Sequence, residues 1–202
     1  MTEISSPAII FVSFALYAVL HSFMASRGAK DWARKLLGEP VFDRTYRLFF
    51  NFVGVIILLP ILYLVVWLPN QPLYSVPAFW RPFMLAGQVA AVLILAAALN
   101  KTDALDFAGL RQLGSKPEAP PLIVDGVYRW MRHPLYTGSM LFLWLIPEVS
   151  LNFFVLNIAF TLYFIIGAIF EERKLERYFG MAYQEYKART PMFIPGLRFG
   201  SR

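Results

Sequence analysis

Between residues 126 and 138 a polar, basic run turns directly into an apolar one: Gly126-Val127-Tyr128-Arg129-Trp130-Met131-Arg132-His133-Pro134-Leu135-Tyr136-Thr137-Gly138. Two arginines, a histidine and two tyrosines at the edge of a hydrophobic segment are costly without a partner. The run therefore marks the edge of a binding site. Pro134 suits the first turn of a helix, whose unpaired N–H groups and positive dipole end favour an anion. A second polar group follows a later apolar stretch: Glu171-Glu172, whose carboxylates suit an ammonium group or a ribose diol. Tyr183 and Tyr186 come next, on a stretch of helical period. Arg129, Arg132, His133 and Tyr136 at one pole and Glu171 and Glu172 at the other match a zwitterionic, partly cationic nucleoside.

Taken singly, the same residues have plainer readings. Arg129 and Arg132 can anchor a helix to lipid headgroups, and Tyr128 and Trp130 are ordinary interfacial aromatics. Tyr183 and Tyr186 can be packing residues, and Glu171 and Glu172 can pair with Arg173, Lys174 or Arg177. Gly138 serves either close helix packing or the approach of a ligand to the backbone. The acidic pair resists dismissal most, because a topology signal at that place would be basic.

The elements that must position these groups are membrane helices. Of the 202 residues 58% are hydrophobic and 16% charged, far from the balance of a soluble domain. A bilayer core about 30 Å thick needs roughly 20 apolar residues in a helix. That ruler predicts five spans: Ala8 to Ala25, Leu48 to Leu68 with a kink at Pro60, Phe83 to Leu99, Leu135 to about Leu151, and Asn152 to Phe170. Only Pro147-Glu148-Val149-Ser150 separates the last two, which predicts an antiparallel hairpin with His133 and Glu171 on one side of the membrane. From Glu171 to Arg189 the recurrence of Leu175, Phe179, Ala182, Tyr183 and Tyr186 predicts a cytoplasmic helix capping the hairpin. Pro191-Met192-Phe193-Ile194-Pro195 ends it.

The expected fold is thus all-α and polytopic, a single domain over residues 1–202 with a three-helix part to residue 100 and a cofactor-binding part from residue 101. On this division 18 of the 19 Lys and Arg, Lys116, Arg198 and Arg202 among them, fall on one side, and only Arg81 falls on the other. The N-terminus is expected outside and the C-terminus in the cytoplasm. The net charge of +6 belongs to these short loops, so it signals topology rather than nucleic acid. Met1 to Pro7 lacks the basic region and cleavage site of a secretory signal, so the first span is expected to stay. The absence of cysteine excludes disulfides, thiolate metal sites and a cysteine nucleophile. No metal is expected.

In order and spacing, Gly126-x-Tyr128-x-x-x-Arg132-His133-Pro134-x-Tyr136-x-Gly138, Glu171-Glu172-x-x-Leu175, Phe179-Gly180-x-x-Tyr183-x-x-Tyr186 and Pro191-x-Phe193-Ile194-Pro195 resemble the isoprenylcysteine carboxyl methyltransferase superfamily of integral membrane methyltransferases. The resemblance implies S-adenosylmethionine as cofactor. It implies that His133 and Tyr136 contact it, that Glu171 and Glu172 bind its amino group or ribose, and that the tail helix covers it. Tyr128, Arg132, Gly138, Tyr183 and Tyr186 complete the expected cofactor set, and His133, Glu172 and Arg189 are the candidates for substrate activation. His21-Ser22-x-Met24-Ala25, Arg44-x-Tyr46 and Asp106-Phe107-x-Gly109-Leu110-Arg111-Gln112 are similar to bacterial methanethiol S-methyltransferases of the same superfamily. His21 also reads as a packed histidine, and Asp106, Arg111 and Gln112 as a solvated loop. Carboxyl methyltransferases commonly carry arginine where this chain has Met192, which points away from a carboxylate acceptor.

The leading expectation is methyl transfer to a small or lipidic thiol, ahead of a prenylcysteine carboxylate or a phospholipid amine, in a bacterial or archaeal inner membrane. The partners expected are the acceptor and membrane lipid, with neither nucleic acid nor an obligate protein. Two rivals share features: an NADPH-dependent membrane sterol reductase, with a related Arg-His-Pro stretch, and a non-catalytic scaffold using its basic loops on anionic lipid.

Overall fold

The computed structural model describes residues 5–114 and 121–197. Lys116, Arg198, Arg202 and the stretch Met1 to Ile4 lie outside the described residues. In chain order the elements are α1 (Ser5–Ala25), α2 (Arg27–Leu37), α3 (Glu39–Trp67), β1 (Pro72–Ser75), α4 (Arg81–Thr102), α5 (Ala104–Ala108), α6 (Pro134–Trp144), β2 (Glu148–Ser150), α7 (Leu151–Phe179) and α8 (Met181–Arg189), with 3-10 turns at Ala78–Trp80, Arg111–Leu113 and Gly126–Arg129. The architecture is all-helical apart from the paired β1 and β2. Four helical stretches, Ser5–Ala25, Glu39–Trp67, Ala78–Thr102 and Leu151–Phe179, are long and apolar enough to cross a membrane. Between 11% and 22% of each apolar window is buried inside the protein, so most of its surface is left for lipid.

The chain forms two compact units interleaved in sequence: residues 1–73, 103–119 and 150–159 form one, and residues 74–102, 120–149 and 160–202 the other. In the first, the Tyr46 hydroxyl donates to the Met24 carbonyl at 2.6 Å, and His21 lies against the Phe50 ring at 4.4 Å and over Gly54. His21 is therefore a packed histidine. Asp106, Arg111 and Gln112 are not a loose loop: Arg47 pairs with Asp106, Gln112 Nε2 donates to Asp106 Oδ1 at 2.6 Å, and Arg111 pairs with Asp103. Gly109, at φ +87°, presses on the backbone of Arg47 and Leu48, where a Cβ has no room. At the far end of α3 the Asn152 amide reaches the carbonyls of Val65, Leu68 and Pro69 at 3.3 to 3.4 Å, supplying donors to carbonyls that a helix end leaves unpaired.

The second unit is built on α4 and α6, which run antiparallel. Asp125 pairs with Lys101 at one end of α4. Further along, Gly138 faces Leu95 and Ala91, and Gln88 Nε2 donates to the Phe142 carbonyl at 3.3 Å. At the other end, Val76 N–H donates to the Pro147 carbonyl at 2.9 Å, and Arg81 pairs with Glu148 at 2.8 Å. The expected fourth span, Leu135 to Leu151, is therefore not one helix: α6 stops at Trp144, and extended chain with Pro147 and β2 completes the path alongside α4. Proline lacks the N–H a continuing helix needs.

Two other expected boundaries move. The stretch Arg27 to Leu37 is helical, not loop. The tail is not one helix from Glu171: α7 carries on to Phe179, and Gly180, at φ +57°, separates it from α8, a conformation that glycine adopts without steric cost. The α3 helix runs unbroken past Pro60.

Gly138 sets how closely α4 and α6 approach, since a Cβ there would lie 2.9 Å from Leu95 Cγ and 3.1 Å from the Ala91 carbonyl. Gly138→Val is expected to cost about 1–3 kcal/mol through overpacking, read as a lowered thermal midpoint in detergent. Adding Leu95→Ala should recover part of the loss.

Candidate active site

The Arg132–Glu172 ion pair is the centre of the site. Arg132 Nε donates to Glu172 Oε1 at 2.6 Å, with the two side chains 8% and 4% exposed. The arginine's fork also donates to the Lys187 carbonyl at 3.2 Å and to the Thr190 carbonyl, the orphan acceptors at the end of α8. His133 sits between the two glutamates, with Nε2 3.2 Å from Glu172 Oε1 and Nδ1 3.6 Å from Glu171 Oε2. Lys187 Nζ closes the ring, 3.2 Å from Glu172 Oε2 and 2.7 Å from Glu176 Oε1.

Glu171 and Glu172 are neighbours in sequence but differ in position on α7, because successive residues project about 100° apart on a helix. Glu172 faces inward and is committed to Arg132, His133 and Lys187. Glu171 is 45% exposed and accepts from the Tyr136 hydroxyl at 2.9 Å. The His133 and Tyr136 rings stack at 5.4 Å, Tyr136 stacks on Phe164 at 5.3 Å, and Phe193 lies 5.9 Å from His133.

The tail binds through its backbone. Arg132 N–H donates to the Pro191 carbonyl at 2.9 Å and His133 N–H to the Met192 carbonyl at 3.1 Å, while the Thr137 hydroxyl donates to the Phe193 carbonyl at 3.0 Å. The two N–H groups just before the start of α6 thus hold the tail. Tyr186 donates to the Tyr128 carbonyl at 2.6 Å. Tyr183 is buried, and its hydroxyl has no hydrogen-bond partner among the described residues.

The surroundings keep the tyrosines and the lysine in their ordinary charge states. Burial, with Glu171 second, pushes the Tyr128 phenol up to about 12. Burial chiefly, with Glu172 next, raises Tyr183, and burial raises Tyr186 as well, so all three stay neutral. The Glu176 hydrogen bond foremost, and Glu172 after it, raises Lys187. Its ionic link is complete below the free-lysine value of about 10.4 and is lost only as pH climbs through the higher folded value.

The structure therefore brings Arg132, His133, Tyr136, Glu171 and Glu172 within bonding reach, with Tyr128, Tyr183 and Tyr186 around them. Gly138 packs on α4 instead of opening toward this cluster. Arg129 is exposed, and Arg189 ends α8 with its side chain exposed, near enough to Tyr186 to act on its hydroxyl. Lys187 escaped the sequence reading, although its position one residue after Tyr186 was a usable signal.

The relatives of the chain point to one chemistry. A methanethiol S-methyltransferase of Pseudomonas deceptionensis is 32% identical over 195 residues, covering 91% of this chain and 70% of that protein. Methanethiol S-methyltransferase 2 of Bradyrhizobium diazoefficiens is 29% identical over 189 residues, covering 91% and 71%. The protein-S-isoprenylcysteine O-methyltransferase of Schizosaccharomyces pombe is 34% identical over 79 residues, 37% of this chain and 33% of that protein. No solved structure matches. An all-helical membrane protein with these relatives is a membrane methyltransferase. The chain belongs to the NnrU protein family, whose profile matches residues 9–197, within the isoprenylcysteine carboxyl methyltransferase-like superfamily.

Breaking the central pair leaves a buried charge short of its strongest partner. Arg132→Met is expected to cost about 3–5 kcal/mol, measured by thermal unfolding in detergent, and Arg132→Met with Glu172→Gln should cost less than the single change. Lys187→Met, at a half-exposed position, should cost no more than about 1 kcal/mol.

Proposed function

We propose that this protein transfers a methyl group from S-adenosylmethionine to a small thiol at the mouth of α6. The observation that carries the reading is the buried Tyr183 hydroxyl, which has no hydrogen-bond partner among the described residues and lies close enough to Glu172, Arg132 and Glu171 to feel their charges. A buried polar group of this kind calls for a ligand atom or water. The names of the relatives that match 91% of this chain favour a thiol acceptor, as does Met192 standing where carboxyl methyltransferases commonly carry arginine. Prenylcysteine carboxylates and phospholipid amines rank behind.

The cofactor supplies an electrophilic methyl on a cationic sulfonium. On the protein's side, Glu171 offers a half-exposed carboxylate to a cationic group, and the stacked His133, Tyr136 and Phe164 rings offer apolar faces that attract cations. Glu172 acts through His133, fixing the ring so that both nitrogens face carboxylates. Methylation replaces an S–H bond by S–C, so the thiol proton must leave, and His133 and Glu171 are the groups placed to accept it.

We also read α6 and its extended flank as a fifth crossing, supported by the pairings along the whole length of α4. The basic stretches then put the site on the cytoplasmic side.

The test is labelled methyl transfer by the full chain in detergent to a panel of small thiols, prenylcysteines and phospholipids, with S-adenosylmethionine binding followed by calorimetry. Thiols are expected to be methylated. Tyr183→Phe should weaken cofactor binding by up to about tenfold, one hydrogen bond's worth, while leaving the thermal midpoint near that of the parent. No transfer to any acceptor together with no cofactor binding would sink the reading.

A further inference from the structure

The segment between the first two spans carries most of the first loop's topology charges, and α2 gives four of them, Arg27, Lys30, Arg34 and Lys35, a defined helical face. On a helix of 3.6 residues per turn, Trp32, Leu36, Ala29, Ala33 and Leu37 fall within an arc of roughly 140°. Arg27, Lys30, Asp31, Arg34 and Lys35 take the rest of the circumference. The apolar arc is only partly used by the protein. Ala29 and Ala33 are buried, whereas Trp32 and Leu36 are each 68% exposed.

The position of α2 says what those side chains meet. Only Ser26 separates it from the span α1, and Ser26 caps it by accepting from the Ala29 N–H at 3.2 Å. Its other end closes at Gly38, φ +77°, after which α3 begins at once. A helix held between the ends of two spans lies at the membrane surface. Tryptophan is characteristic of that depth, with its ring at the headgroup level, and an amphipathic helix with basic residues on its polar face lies in the interface.

The charge on the polar arc selects the lipid. Four bases face one acid, Asp31, which pairs with Arg34 at 3.1 Å. The Arg34 guanidinium also lies over the Phe42 ring, 4.5 Å from its centre, so Arg34 is tied to the protein. Arg27 and Lys35 are exposed. We propose that α2 is an anionic-phospholipid-binding helix, with Trp32 and Leu36 entering the acyl boundary and Arg27 and Lys35 holding headgroup phosphates. The proposal is independent of methyl transfer, since none of these residues belongs to the site around Glu172.

The experiment uses the full chain in nanodiscs of phosphatidylcholine alone or with added phosphatidylglycerol, each lipid in turn carrying brominated acyl chains. Trp32 emission is taken as the difference between the parent and Trp32→Phe. Trp32 is expected to be quenched by brominated lipid, more by phosphatidylglycerol than by phosphatidylcholine at equal content, and the preference should shrink with added salt. Arg27→Gln and Lys35→Gln should each lower the preference roughly fivefold without moving the thermal midpoint. Equal quenching by both lipids, unchanged in these variants, would overturn the proposal. So would an unquenched Trp32 accompanied by crosslinking of α2 to a second copy of the chain.

Discussion

Removing a guanidinium and a carboxylate from water carries a large desolvation cost, which is offset only when every remaining donor and lone pair finds a partner. Arg132 and Glu172 offset much of that cost by drawing on three separate parts of the chain. The Arg132 side chain binds Glu172 on α7 and the last carbonyls of α8, and its main-chain N–H binds the tail at Pro191. Glu172 spends its second oxygen on Lys187. The mouth of α6, the end of α7, α8 and the tail are tied together through the bonds of this one pair.

The same constraint divides the work of the two glutamates. Glu172 has little left to offer a ligand, but its bond to His133 sets the orientation of that ring. Glu171 keeps exposed lone pairs and binds Tyr136. Glu172 is bonded inward to His133 and Glu171 faces outward beside the aromatic stack of His133, Tyr136 and Phe164. Arg132, expected in the cofactor set, also holds the protein's own chain at the end of α8.

Membrane burial shapes the remaining elements by a similar rule. An 11-residue α6 is too short to cross a bilayer alone, yet the segments flanking it pair with both ends of α4, Asp125 with Lys101 and Glu148 with Arg81. Backbone that leaves the helix at Leu145 must find partners inside the protein, and Val76 N–H is one for the Pro147 carbonyl. Asn152 performs the same service for the end of α3. In the first unit, Asp106 ties α5 to α3 and Arg111 ties the following turn to Asp103, both through half-exposed ion pairs.

The sequence by itself determined the membrane class, the four long apolar helices and the polar mouth at Arg132 to Tyr136, because lipid demands unbroken apolar runs and polar residues at their edges are costly. It also carried the amphipathic pattern of α2, hidden by reading its bases as topology signals. The tertiary structure decided which glutamate faces inward, where α6 gives way to extended chain, and that Met192 acts through its carbonyl. It also decided that Lys187 shares Glu172. These outcomes rest on bonds between residues distant in sequence, as Arg132 is from Glu172 and Tyr128 from Tyr186. Local periodicity reports which face of a helix is apolar; it holds no information on which distant donor will meet a buried acceptor.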